Sequence, residues 1–311
     1  MAIENVTVLV GGVGGAKLAH GLAQILPPGR LTVIVNTGDD FWHMGLKICP
    51  DMDTVMYTLG GAVDPVNGWG VAGDTTAMLD MLRRYDGETW FRLGDRDLAT
   101  HLMRTEAIRR GERLTDITKR LAHALGIQHT ILPMTNADVP TMVDTVEYGE
   151  VAFQEYFVRH RWQPRLKGVR YAGVESASVT IEIRDAILYA DAILIAPSNP
   201  WLSIAPILSV PGMRNLLINC RARRVAVTPI IGGQAIKGPA AKLMDELGYE
   251  VTPQTVAKVY GGLIDGFVYD SSDGEQNFPM PAAGLDTIMR TDADRARLAR
   301  EVLAWIEGDL Q

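Results

Sequence analysis

Short apolar runs rich in β-branched residues alternate along this chain with stretches whose apolar positions recur at helical spacing. That alternation predicts an α/β protein with a parallel sheet. The first run, Thr7-Val8-Leu9-Val10, breaks into Gly11-Gly12-Val13-Gly14-Gly15 and restarts at Ala16-Lys17. Beyond it Leu18, Leu22, Ile25 and Leu26 fall on one helical face, so the segment reads as strand, loop and helix. Pro27-Pro28-Gly29 ends that helix, and Leu31-Thr32-Val33-Ile34-Val35 is the second buried strand. A right-handed crossover then makes the two strands parallel. Pro50 and Asp51 read as the start of a helix with Asp53 in its first turn, and Asp74 reads as the cap of another.

From about Thr75 to about Leu125 the pattern is helical and strongly charged, which predicts a helical lobe. Sheet logic resumes with a short strand at Thr130-Ile131-Leu132-Pro133-Met134, and Tyr148 to Trp162 alternates as a hairpin or an edge strand would. Ala192-Ile193-Leu194-Ile195-Ala196 and Val225-Ala226-Val227 are further buried strands, and a helix is expected from about Ala240 to Leu247. Phe267-Val268-Tyr269-Asp270 reads as a last short strand, before an amphipathic closing helix over Asp292 to Glu307.

At 311 residues the chain suits one α/β domain with a smaller inserted or appended part. The net charge of −7 argues against general nucleic-acid binding, which needs concentrated Lys and Arg. Any anionic ligand must therefore be met locally. Cys49 and Cys220 show no metal-binding spacing and read as free thiols of a reducing cytoplasm. With no basic leader and no bilayer-length apolar run, the expectation is a soluble, cytoplasmic protein without membrane contact.

The candidate chemistry gathers at strand ends. The loops after Val10, Val35, Ala196 and Val227 should open on one edge of a parallel sheet, where α/β proteins bind ligands. Glycines before a helix let backbone N–H groups approach a phosphate. The run departs from both standard fingerprints: Lys17 stands where a dinucleotide loop needs a small residue, and Ala16-Lys17-Leu18 replaces the Gly-Lys-Ser/Thr of a P-loop. Asp39, Asp40, Asp51 and Asp53 bring hard oxygen ligands to the same edge, a donor set suited to Mg²⁺, although aspartates at such positions also serve as caps and turns. Around Gly94, the arginines Arg92 and Arg96 and the aspartates Asp95 and Asp97 read equally as a solvated helix end, with His101 ion-paired to Asp97 along a helix face. No covalent nucleophile stands out, so positioning and electrostatics would have to carry any phosphoryl transfer.

Several segments in order carry a resemblance: Gly11-Gly12-Val13-Gly14-Gly15-Ala16-Lys17, Asn36-Thr37-Gly38-Asp39-Asp40, Pro50-Asp51-Met52-Asp53-Thr54-Val55, Gly68-Trp69-Gly70, Leu93-Gly94-Asp95-Arg96-Asp97-Leu98-Ala99-Thr100-His101, Pro197-Ser198-Asn199-Pro200 and Pro229-Ile230-Ile231-Gly232. Together they resemble the 2-phospho-L-lactate transferase family (CofD, called FbiA in actinobacteria), in its bacterial rather than archaeal form. The resemblance implies a Rossmann-like, mostly parallel sheet with helices on both faces, formed by residues 1–74 and 126–311, and a helical lobe over 75–125. It implies transfer of a phospho-carboxylic-acid unit (2-phospholactyl, phosphoenolpyruvyl or phosphoglyceryl) from a guanosine-diphosphate-activated donor to the deazaflavin Fo. GMP would be released, on the route to coenzyme F420, by a Mg²⁺-dependent homodimer.

Carried over by motif, Asp39 and Asp53 would be metal ligands and catalytic, with Asp53 also at the acceptor. Arg92 and Arg96 would bind substrate, Arg96 catalytically. Gly11, Gly12, Val13, Gly14, Gly15 and Lys17, with Ser198 and Asn199, would take the nucleotide. The identity of the donor stays open among the three. A competing reading is a nucleotide-sugar-binding regulator of the gluconeogenesis-factor (YvcK) type, which shares the glycine run but lacks the Gly68-Trp69-Gly70 and Gly94-Asp95-Arg96-Asp97 segments. An NAD-dependent dehydrogenase is disfavoured by Lys17.

Overall fold

The computed structural model describes residues 2–235 and 240–310, so positions 236–239 of the loop after Val227 lie outside the described residues. Seven parallel strands form the central sheet: β1 (Val6–Val10), β2 (Leu31–Val35), β3 (Thr130–Pro133), β4 (Ala192–Ile195), β5 (Arg223–Val227), β6 (Gly266–Asp270) and β7 (Ala282–Leu285). Their order across the sheet is β7-β6-β5-β4-β1-β2-β3. The expected α/β architecture is therefore the observed one, with β7 added beyond the strand expected to be last. Its sequence, Ala-Ala-Gly-Leu, holds no β-branched or aromatic residue to mark it, and pairing with β6 defines it.

The alternation of side chains along β1 divides the core. Val6, Val8 and Val10 face one layer with Leu18 and Leu22 of α1 (Gly12–Ile25) and Val302 of the closing helix (Asp292–Gly308). Leu9 faces the other layer with Ile34, Ile193 and Ile195. Each such side chain, removed wholly from water, contributes about 1.5–3 kcal/mol of transfer free energy. Because β1 pairs with β2 on one side and β4 on the other, the chain runs outward in opposite directions from this point. The carboxyl ends of β1 and β4 then frame a crevice, the place where doubly wound sheets bind ligands.

Helices α2 (Pro50–Leu59), α3 (Ala77–Arg84), α4 (Asp97–Arg109) and α5 (Leu114–Ala124) follow. Ala122 of α5 belongs to the same core as α1, whereas α3 buries only Leu79. Asp74 does not cap the helix that follows it. Its carboxylate instead accepts from the Arg96 and Asp97 backbone N–H groups at the start of α4 (2.8 and 3.0 Å). Asp95 in turn accepts from Ala77 and Met78 at the start of α3 (3.0 and 2.9 Å). Each acid satisfies the other helix's free N–H groups, which fixes the loop between α2 and α3 against the segment entering α4.

The stretch read as a hairpin or edge strand is a hairpin only in part. Gly149–Ala152 pairs with Thr141–Thr145, which also pairs with Leu166–Tyr171, but Glu155–Arg159 is a π-helical turn. Phe153 and Tyr156, three apart, both bury against Leu166, Leu202 and Leu243, and this shared apolar contact overrides the alternation. No single helix among the described residues is long and apolar enough to cross a membrane.

Candidate active site

A cavity of about 890 Å³ lies at the carboxyl ends of β1, β2, β4 and β5. Of the residues expected from sequence, Gly11, Gly12, Val13, Gly14, Lys17, Asp39, Asp53, Arg92, Ser198 and Asn199 line it. Gly15 and Arg96 do not.

The glycine run is the first turn of α1 itself, since the helix begins at Gly12. The Gly12 N–H meets the Asp51 carboxylate, and the N–H groups of the rest of that turn have no partner within the helix and, with the helix dipole, favour an anion. Gly12 stands at φ +63°, a conformation costly for other residues. Gly14 is needed for a different reason: a β-carbon there would lie 2.6 Å from the Pro197 carbonyl oxygen. Gly15 faces inward, where a β-carbon would meet Ser198 Oγ at 2.6 Å and Val10 Cβ at 2.9 Å, so it packs helix on strand.

Ser198 Oγ accepts from the Gly11 N–H (3.1 Å) and donates to the Gly11 carbonyl (2.7 Å), tying the loop after β4 to the glycine run. Asn199 Oδ1 accepts from the Trp201 and Leu202 N–H groups (3.0 and 3.1 Å) and caps the turn that follows. Both side chains thus brace the loop. Lys17 Nζ donates to the Met289 carbonyl (2.8 Å), joining α1 to the segment after β7.

The four acids divide into groups that sequence did not separate. Asn36 Nδ2 donates to both Asp39 Oδ1 (3.1 Å) and Asp51 Oδ2 (2.9 Å), so one amide bridges two buried carboxyls. Burial, then the Asp51 charge, pushes Asp39 well above the ordinary carboxylate range. Burial pushes Asp51 up to about 6, opposed by the bonds from Asn36 and Gly12. Asp40 is raised to about 7 by burial, with Lys47 4.0 Å away opposing. Asp51 therefore is more than a helix start: it is the acid that stands with Asp39.

Asp53 belongs to a second cluster. Arg104, almost wholly buried, grips both its oxygens, Nη1 at 3.0 Å from Oδ2 and Nη2 on Oδ1. Burial raises Asp53 and the guanidinium opposes that rise. His101 Nδ1 lies 3.6 Å from Asp53 and its Nε2 3.2 Å from Asp97. Burial would lift Asp97 as well, but the His101 imidazole beside it holds it below the usual range. The Tyr57 hydroxyl donates to Asp97 Oδ1 at 2.6 Å. The Asp97–His101 pairing expected along a helix face is present, buried rather than solvated. Arg104 was missed, although Asp97, His101 and Arg104 fall at i, i+4 and i+7 on one face of α4, a spacing visible in sequence.

These clusters differ as cation sites. Asp53, Asp97 and His101 offer ligand atoms within 4.8 Å of one another, but Arg104 already supplies positive charge there. No basic side chain is bonded to Asp39 or Asp51 among the described residues. Their donor set, two buried carboxylates held at one amide, fits a divalent ion bound partly through substrate and water oxygens.

The rim and walls complete the site. Arg92 stacks over the Trp69 ring, 5.9 Å from its centroid, while Arg96 turns away to donate to the Ala72 carbonyl (3.0 Å). Trp69, Phe91, Phe153, Gln154 and Phe157 also line it, as do residues 287–290, whose Met289 carbonyl Lys17 meets. None of these walls carried a sequence signal beyond the Gly68-Trp69-Gly70 segment, because they come from turns far apart in the chain.

Comparison with known proteins adds a family model, described as 2-phospho-L-lactate transferase CofD, that matches residues 6–310. A 2-phospho-L-lactate transferase of Methanosarcina mazei is 40% identical over 301 residues, covering 95% of this chain and 98% of that protein. A phosphoenolpyruvate transferase of Streptomyces coelicolor is 42% identical over 313 residues, covering 97% and 98%. Among solved structures, a UPF0052-family protein of Bacillus halodurans aligns with a TM-score of 0.63 at 16% identity, over 97% of this chain and 99% of that one, and shares the fold.

Proposed function

The chain belongs to the 2-phospho-L-lactate transferase (CofD) family, and on that premise we propose that it moves a phospho-carboxylic-acid unit from a guanosine-diphosphate-activated donor to the deazaflavin Fo. GMP leaves, and the product is a precursor of coenzyme F420. One observation carries the reading: the lining of a single cavity brings together the anion-accepting first turn of α1, the carboxylates of Asp39 and Asp51, and aromatic side chains from a segment following β2 and from another preceding β4. That arrangement suits a diphosphate lying between two flat rings.

In this reading the first turn of α1 holds the donor diphosphate through backbone N–H groups. Asp39 and Asp51 would hold Mg²⁺, with Asp53 reaching the same cavity under the grip of Arg104. When bound, the ion neutralises charge on the diphosphate. Trp69 and Arg92 support a flat ring at the rim and bring the acceptor's primary hydroxyl to the phosphorus. The hydroxyl oxygen forms the new P–O bond, the bond to the GMP oxygen breaks, and the hydroxyl proton passes to a carboxylate or water at the sheet edge. Arg96, bonded to the Ala72 carbonyl, holds the loop that carries Trp69 rather than meeting the phosphate.

Incubating the protein with Fo, Mg²⁺ and each of the three candidate donors, and following the deazaflavin by chromatography and mass, tests the proposal. One donor should give a phosphodiester of Fo with GMP in equal amount. No product from any donor, together with tight binding of a uridine nucleotide sugar, would reverse the reading in favour of a regulator.

A further inference from the structure

Gln154 lies two residues past the strand Gly149–Ala152, in helical backbone immediately before the π-helical turn Glu155–Arg159, and its side chain makes no capping bond. It is only 5% exposed and lines the cavity. No hydrogen bond to its amide is found among the described residues, although Lys242, Glu246 and Tyr156 nearby are bonded to one another. The amide nitrogen and oxygen both keep surface open to the cavity, so they stand ready to pair with a ligand rather than with the protein. On either side of it in the chain, Phe153 and Phe157 stack with ring centroids 5.4 Å apart, and both line the same wall.

We propose that Gln154 reads the donor–acceptor edge, a carbonyl beside a ring N–H, of a flat heterocycle lodged against Phe153 and Phe157. The glutamine amide offers one N–H donor and one carbonyl acceptor side by side, which matches that edge bond for bond. This rests on the proposed function, in which two flat rings share the cavity. Guanine of the donor and the pyrimidinedione of the deazaflavin both carry such an edge, and the experiment separates them.

GDP and Fo are titrated separately, by calorimetry, into the wild-type protein, Gln154→Leu and Gln154→Glu, and the unliganded stability of each is measured by urea unfolding. Gln154→Leu should weaken one ligand by roughly tenfold to a hundredfold, the cost of leaving that ligand's edge unpaired, and keep the other within about twofold. Its unliganded stability should stay close to that of the wild type, since the amide bonds to no side chain or backbone group among the described residues. Gln154→Glu, which keeps an acceptor but loses the N–H, should weaken the pyrimidinedione, whose N–H is flanked by carbonyls, but not guanine, whose ring N–H and amino group can both donate to a carboxylate. Whichever ligand responds is the ring at this wall. If neither affinity changes, or both fall together, the inference is overturned while the proposed function stands. If the wild-type protein binds neither compound, the proposed function falls and takes the inference with it.

Discussion

Replacing Arg104 by methionine should expose how much the second cluster depends on one buried ion pair. Both partners are withdrawn from solvent, and Arg104 meets both oxygens of Asp53. Burial already raises the Asp53 carboxyl, with the guanidinium as the leading opposing influence. Removing that influence leaves a buried carboxylate without its counter-charge, a change that costs about 3–5 kcal/mol at neutral pH. The deficit should depend on pH, and its sign follows from linkage. A carboxyl whose folded value lies above its unfolded one binds more protons when folded, so stability falls as pH rises through the interval between the two. Arg104→Met should therefore be least impaired near about pH 5 and most impaired near about pH 8, while the wild type changes less because Arg104 restrains Asp53. Urea unfolding at both values measures this. The double variant Asp53→Asn with Arg104→Met should recover most of the loss, since no charge is then left unpaired. A loss below about 1 kcal/mol at pH 8, or a loss that does not shrink on acidification, would refute the reasoning that the pair holds a buried charge.

Mg²⁺ binding should weaken on acidification below about pH 6, because Asp51 titrates at about 6 and Asp39 is raised by burial and by Asp51, and ligands must be deprotonated to bind. Calorimetric titration of Mg²⁺ between about pH 5 and pH 8 checks this, and an affinity flat across the window would remove these two acids from the metal site. Gly14→Ala should lower stability by about 1–3 kcal/mol and weaken GDP binding. Its β-carbon would meet the Pro197 carbonyl at 2.6 Å, a backbone atom that cannot rotate aside. A variant as stable as the wild type would mean that the loop after β4 yields and that the glycine serves the ligand alone.

Much of this molecule is legible residue by residue. The apolar runs at Val6–Val10, Leu31–Val35 and Ala192–Ile195 have no plausible fate except buried parallel strands, and the glycine run marks a close-packed passage from strand to helix, although the helix starts within it at Gly12 rather than after it. From these follow the sheet, the edge where ligands bind and most of the cavity's central residues. Such features depend on side-chain period and backbone sterics within a few residues, which a sequence states directly.

What tertiary structure alone decided is the pairing of groups far apart in the chain. Four aspartates between 39 and 53 look equivalent in sequence, yet Asn36 joins Asp39 to Asp51 while Arg104, from another helix, takes Asp53. Asp74 and Asp95 exchange the helices they cap, Arg96 turns from the cavity to a backbone carbonyl, and Gln154 is buried by a turn whose local pattern reads as a strand. The energies of charges, caps and buried amides vary steeply with distance and burial, and both are set by packing between segments rather than by any one segment's composition.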